Sequence, residues 1–125
     1  LNQLTNIPTT AAGESSSFVN SYRLFIDDIR DPIDSDWVIA RSSKEAYLKT
    51  KVLGFPQEIA FDHDLGGDDT TLLYLYRVTG DLMDGNLSIP VGFKYSIHSS
   101  NPYGADRIRS EMELILFHFG PKHDD

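Results

Sequence analysis

Three apolar runs of strand length each end in residues able to do chemistry. Leu24-Phe25-Ile26 leads into Asp27-Asp28, Ile59-Ala60-Phe61 into Asp62-His63-Asp64, and Tyr95-Ser96-Ile97 into His98-Ser99. If the three runs are parallel neighbours, their polar ends meet at one edge of a sheet. Open α/β sheets build their sites at that edge. The pattern therefore constrains both the fold and the position of any active centre.

The segments between these runs support the same architecture. Tyr22–Asp27 reads as a first strand, Asp31-Pro32 as a turn, and Asp36–Arg41 as a second strand. Ser42-Ser43-Lys44-Glu45 is a capping box that starts a helix running to about Leu53, with Gly54 and Pro56 stopping it. Glu58–Asp62 is the third strand. Asp69 or Thr70 caps a second helix, whose stripe of Leu72, Leu75, Tyr76, Thr79, Leu82 and Met83 recurs at helical spacing and ends at Gly85. Pro90 opens a fourth strand over Val91–Ile97. Asn101-Pro102 turns into a last helix with Ala105, Ile108, Met112, Ile115 and Phe119 inward, closed by Gly120-Pro121.

The order β-β-α-β-α-β-α implies a mostly parallel sheet of about four strands with flanking helices. One connection resists the pattern. About eight residues join the first two strands, whereas a parallel crossover usually takes roughly a dozen or more. Either the second strand runs antiparallel or a bare loop makes the crossover.

The 125 residues suffice for one domain. Residues 1–20, rich in Asn, Thr and Ser, read as a polar lead-in or tail, residues 21–120 as the domain, and residues 121–125 as a frayed end. A first residue of Leu rather than Met reads as a processed or trimmed start, and no secretory signal is evident. No apolar run approaches the roughly 20 residues of a membrane-spanning helix. The absence of cysteine excludes disulfides, thiolate chemistry and cysteine-ligated zinc. The net charge of −8 repels nucleic-acid backbone, so double-stranded DNA is not an expected partner.

Asp27, Asp28, Asp62 and Asp64 are hard oxygen donors, suited to Mg²⁺, Mn²⁺ or Ca²⁺. Crowding such carboxylates is unfavourable unless a cation or a proton compensates. A single Asp after a strand is most simply a turn residue, but Asp-Asp and Asp-His-Asp in one chain favour a site. His63 and His98 are candidate acid/base groups. Ser99 and Asn101, just before the last helix, are able to hold a phosphate with the first helical N–H groups, or simply to cap the helix. Arg30 is able to clamp an oxyanion. Asp68 and Asp69 read as loop and cap residues. Gly66-Gly67 is not a P-loop, because the Lys and Ser/Thr of that motif are missing.

Leu24-Phe25-Ile26-Asp27-Asp28-Ile29-Arg30, Phe61-Asp62-His63-Asp64-Leu65-Gly66 and Ile97-His98-Ser99-Ser100-Asn101-Pro102 together resemble the cyclic-phosphate-processing receiver-like family of bacteria and phages. The resemblance covers about residues 22–112. It implies a three-layer, receiver-like Rossmannoid fold, a reduced form of the response-regulator receiver domain. It also implies handling of phosphate esters, such as cyclic phosphates at RNA ends or in nucleotides. In a receiver the acidic pair holds Mg²⁺, an Asp on the third strand accepts a phosphoryl group, and a Ser/Thr and a Lys complete the site. Asp27 and Asp28 match the pair, Asp62 the acceptor and Ser99 the hydroxyl. The fifth strand and its Lys have no counterpart, Lys94 is poorly placed to substitute, and two histidines are added.

These features give a metal-dependent phosphoesterase as the leading expectation. Asp27, Asp28, Asp62 and Asp64 would hold Mg²⁺ or Mn²⁺, with Asp62, His63 and His98 catalytic and Arg30, Ser99 and Asn101 orienting the substrate. The alternatives are a degenerate phosphoacceptor receiver and a non-catalytic interaction protein that binds a host protein. A cytoplasmic location is expected, that of the host if the chain is phage-encoded.

Overall fold

The computed structural model describes residues 21–121, so the expected lead-in at 1–20 and nearly all of the expected frayed end lie outside the described residues. Four strands, β1 (Arg23–Ile26), β2 (Trp37–Ala40), β3 (Glu58–Phe61) and β4 (Lys94–Ile97), form one sheet in the order β2-β1-β3-β4. All three pairings are parallel. The helices are α1 (Ser43–Leu53), α2 (Thr71–Met83) and α3 (Pro102–Phe119). This is the receiver-like α/β fold the sequence implies. Its strand order is that of the flavodoxin-like doubly wound sheet, with the switch point between β1 and β3.

β2 is parallel to β1, so the crossover is a bare loop, residues 27–36. Side chains do what a crossover helix would otherwise do. Arg41, just after β2, donates from its guanidinium to the carbonyls of Asp27 (3.2 Å) and Arg30 (2.6 Å) and pairs with Asp31. Asp34 accepts from the Trp37 indole at 2.6 Å and from Arg23 at 3.0 Å. These bonds give several of the loop's polar groups partners despite its lack of regular structure.

Side chains alternate across each strand. Leu24, Ile26, Ala40, Ile59 and Phe61 face one way and join Leu72, Tyr74, Leu75, Val78, Ile108, Met112 and Ile115 in the core. Complete burial of Leu24, Ile26, Ile59 and Phe61 contributes about 1.5–3 kcal/mol for each side chain. The helices pack in series, α1 on α2 and α2 on α3. Among the described residues they pack on the face that carries the core; the other face, with Phe25 and Ala60, lies under the 27–36 loop.

Several local expectations are corrected. Ser42 accepts the Glu45 N–H at 3.0 Å, but Glu45 reaches back to the Arg41 N–H at 2.6 Å rather than to that of Ser42. Of the two cap candidates for α2, Thr70 takes the N-cap position as one of the two expectations had it, while Asp69 accepts from the Ser43 N–H and hydroxyl at the start of α1. Residues 90–93 form a turn, closed by the Phe93 N–H on the Pro90 carbonyl, so β4 begins only at Lys94. On α2, Tyr76 and Met83 are exposed, and Thr71, Tyr74, Val78 and Asp81 are buried instead.

That rotation of α2 has a polar cause. The Tyr74 hydroxyl meets Thr50 Oγ1 at 2.9 Å, and Asp81 accepts from Tyr47 (2.6 Å), Lys51 (3.1 Å) and Asn86 (3.1 Å). The Tyr47 and Asn86 hydrogen bonds, with Lys51 beside them, hold the Asp81 carboxyl at about 2, below its ordinary 3.8. The resulting stabilisation is complete above the ordinary value and is lost as pH falls through the folded one. Acid titration of unfolding should therefore cost the protein about 1–2 kcal/mol more than its Asp81→Asn variant between about pH 4 and pH 2. Equal losses measured by urea denaturation would contradict this role of Asp81.

Candidate active site at the β1–β3 switch point

Asp27 and Asp28 follow β1, and Asp62 follows the adjacent, parallel β3. The register therefore carries the three carboxylates to the same edge, where one oxygen from each lies within 4.8 Å of the others. Asp27 is almost wholly buried. Its Oδ1 accepts the N–H groups of Ile29 (2.9 Å) and Arg30 (2.8 Å), and its Oδ2 meets His98 Nε2 at 3.0 Å and Arg30 Nε at 3.8 Å. Burial pushes the Asp27 carboxyl up, but the Arg30 and Ile29 N–H bonds and His98 outweigh it and hold the group below the usual range.

Asp62 is in the opposite position. Burial raises its carboxyl, the Asp27 charge raises it further, and the His63 N–H, His98 and Arg30 offset this only in part. A buried carboxylate with a like charge beside it is a group that a cation would relieve. The oxygen-only donor set fits Mg²⁺ or Mn²⁺. Gly66 (φ +92°) brings its loop against Asp28, where a Cβ would sit 3.3 Å from Asp28 Oδ2. A side chain there would be strained and would press on the cluster.

His98 follows β4 and stacks on Phe25, with ring centroids 4.8 Å apart. This stacking and the bond to Asp27 fix the imidazole at the rim of the cluster. Arg30 completes the rim, donating to the His98 carbonyl at 3.0 Å.

The remaining candidates form a second group. Asp64 is not part of the carboxylate cluster: it is exposed, accepts from His63 Nδ1 at 2.9 Å and lies 3.5 Å from Asn101 Nδ2. Expected among the metal ligands, it stands outside the group of three carboxylates that converge. It stands two residues beyond β3, in a loop whose geometry aims the carboxylate at His63, and that hydrogen bond lowers its pKa. The His63 side chain is largely buried and its ring bonds to Asp64, not to the cluster carboxylates, although its backbone N–H donates to Asp62 at 2.8 Å. Asn101 Oδ1 caps α3 through the Gly104 N–H at 3.0 Å, and Ser99 Oγ accepts the Asn101 N–H at 3.0 Å. Both side chains keep donor hydrogens to offer a ligand.

Two contributors were missed in the sequence. Arg41 ties the loop that carries the acidic pair. Gly104 lies so close to His63 that a Cβ on it would run into the imidazole ring. An isolated Gly early in a helix was the available signal. Gly104→Ala gains about 1 kcal/mol of helix propensity but overpacks His63 by about 1–3 kcal/mol. A net loss of stability and a shifted His63 ring resonance are expected by denaturation and NMR.

Lys94 begins β4, at the opposite end of the sheet from the carboxylates. It cannot replace the receiver lysine. A match to the family described as cyclic-phosphate processing receiver domain spans residues 22–114. The chain belongs to this family. The match takes in every element from β1 to most of α3, so the family's receiver domain and the switch-point cluster coincide. No curated protein and no solved structure matches the chain. Among the described residues, no helix is long and apolar enough to cross a membrane.

Proposed function

We propose that the protein is a metal-dependent phosphoesterase acting on a phosphate ester, of the cyclic kind found at RNA ends or in nucleotides. The observation that carries this reading is the convergence of Asp27, Asp28 and Asp62 to within 4.8 Å. Membership of a cyclic-phosphate processing family supports the substrate class. Asp27, Asp28 and Asp62 would hold Mg²⁺ or Mn²⁺, which when bound neutralises phosphoryl oxygens and acidifies water.

The chain's own groups have separable tasks. Arg30, half-exposed at the rim, orients the phosphate by charge-assisted hydrogen bonds. His98, held by Asp27 and Phe25, passes a proton at the rim through its imidazole. Asp62 acts as base toward the attacking water, or attacks phosphorus itself as the matching receiver residue does. Ser99 and Asn101 donate to phosphoryl oxygens from the turn before α3. His63 and Asp64 work as a pair, with Asp64 setting the imidazole's orientation.

A screen of cyclic and linear phosphate esters with Mg²⁺ or Mn²⁺ tests the proposal. Turnover that requires the cation is expected. The position of Asp62 after β3 also favours a second reading, a phosphoacceptor without turnover. Stable labelling of Asp62 by a small phosphodonor, with no ester hydrolysed, would select that reading.

A further inference from the structure

The sheet face turned away from the helices carries a depression that the carboxylate chemistry does not use. Phe25, Ala60 and Ser96 stand in one row across β1, β3 and β4. Two of the three are small, so the row drops away beside the Phe25 ring. Trp37, Pro32 and Ile33 raise one wall, and Arg30 and His98 the other, around a cavity of about 400 Å³. That lies in the range of small-molecule sites. Ile33 is fully exposed and Ile29 largely so; neither joins the core.

The cavity starts where the carboxylate cluster stops. Two of its lining residues, His98 and Arg30, reach Asp27 Oδ2 at 3.0 and 3.8 Å. Its two acidic lining residues are already compensated: Asp31 pairs with Arg41, and Asp34 with Arg23 and the Trp37 indole. What remains is an apolar, aromatic-walled slot with the Arg30 guanidinium and the His98 imidazole at its inner end.

We propose that this slot is a nucleobase site and that the substrate is a nucleoside phosphate. Its phosphate would lie at Arg30 and the carboxylates, and its base over Ala60 and Ser96, beside Trp37 and next to the stacked Phe25 and His98 rings. The inference rests on the phosphate-ester reading of the carboxylate cluster and adds to it the place where the base of such an ester is held. Aromatic side chains hold bases in this way with little sequence preference. The slot takes one base, which suits a mononucleotide or the terminal nucleotide of an RNA.

Trp37 is the only tryptophan in the chain, so its fluorescence reports on the slot directly. The full chain with Mg²⁺ would be titrated with adenosine monophosphate, ribose 5-phosphate, inorganic phosphate, and a short RNA with a terminal phosphate. Adenosine monophosphate should perturb Trp37 emission and bind about tenfold or more tightly than ribose 5-phosphate. Ser96 is exposed on the edge strand β4, so Ser96→Phe fills the slot without disturbing the core. It should abolish the advantage of the base and leave phosphate affinity unchanged. Equal binding of the RNA would extend the site to RNA ends, and weaker binding would confine it to free nucleotides. If adenosine monophosphate and ribose 5-phosphate bind alike and Trp37 emission does not change, the base site is overturned while the phosphate site stands. If no phosphate compound binds, both readings fall together.

Discussion

Asp62→Asn is expected to lower cation-dependent turnover by about 100- to 10,000-fold while leaving the melting temperature unchanged or raised. The two effects come from one arrangement. Burial and the Asp27 charge both disfavour the Asp62 carboxylate in the metal-free protein. Removing its charge relieves that repulsion, so the fold gains. The same charge is what a cation or an attacking water would use, so the chemistry loses. Steady-state kinetics and thermal unfolding of one preparation check both halves. Equal turnover by the two proteins would remove Asp62 from the mechanism, and a large fall in melting temperature would show that its charge is compensated in the fold.

Asp27→Ala has the opposite signature. Asp27 shares the cluster, but its hydrogen bonds to Ile29, Arg30 and His98 more than offset its burial. Ala leaves two loop N–H groups and the His98 ring without their acceptor, at about 1–3 kcal/mol for each unsatisfied buried group. Water reaches part of this loop, so a total of about 2–4 kcal/mol is expected. For a domain of this size that corresponds to a fall of roughly 10–20 °C in melting temperature. Asp27→Asn should lose less, because one amide oxygen can still accept the Ile29 and Arg30 N–H groups. If Ala and Asn variants unfold at the wild-type temperature, the loop is not held by Asp27.

The strands and the convergence of their ends were legible because a parallel sheet writes itself as apolar runs whose last residues share an edge. The ends of β1 and β3 needed nothing more than that. The bare crossover was left open in the sequence, since its support comes from Arg41 and Asp34 and not from a periodic segment. The inner face of α2 was misjudged because Tyr74 and Asp81 are buried with polar partners on or beside α1, and periodicity within one helix does not show them. The start of β4 was misplaced by Val91 and Phe93, apolar residues that sit in a turn with Gly92 at φ +84°. Asp64 was grouped with the cluster by proximity in sequence. Past the end of a strand, side-chain direction follows the loop, and here the loop aims Asp64 at His63.

The central claim is that the ends of β1 and β3 make a cation site. Titration of the isotope-labelled protein with Mn²⁺, read as paramagnetic broadening by NMR, tests it most directly. Broadening should appear first at Asp27, Asp28, Asp62 and His98, spare Lys94 at the far end of the sheet, and require about tenfold more Mn²⁺ after Asp62→Asn. Broadening spread evenly over exposed acidic residues such as Asp84 and Asp106, with none concentrated at the switch point, would contradict it.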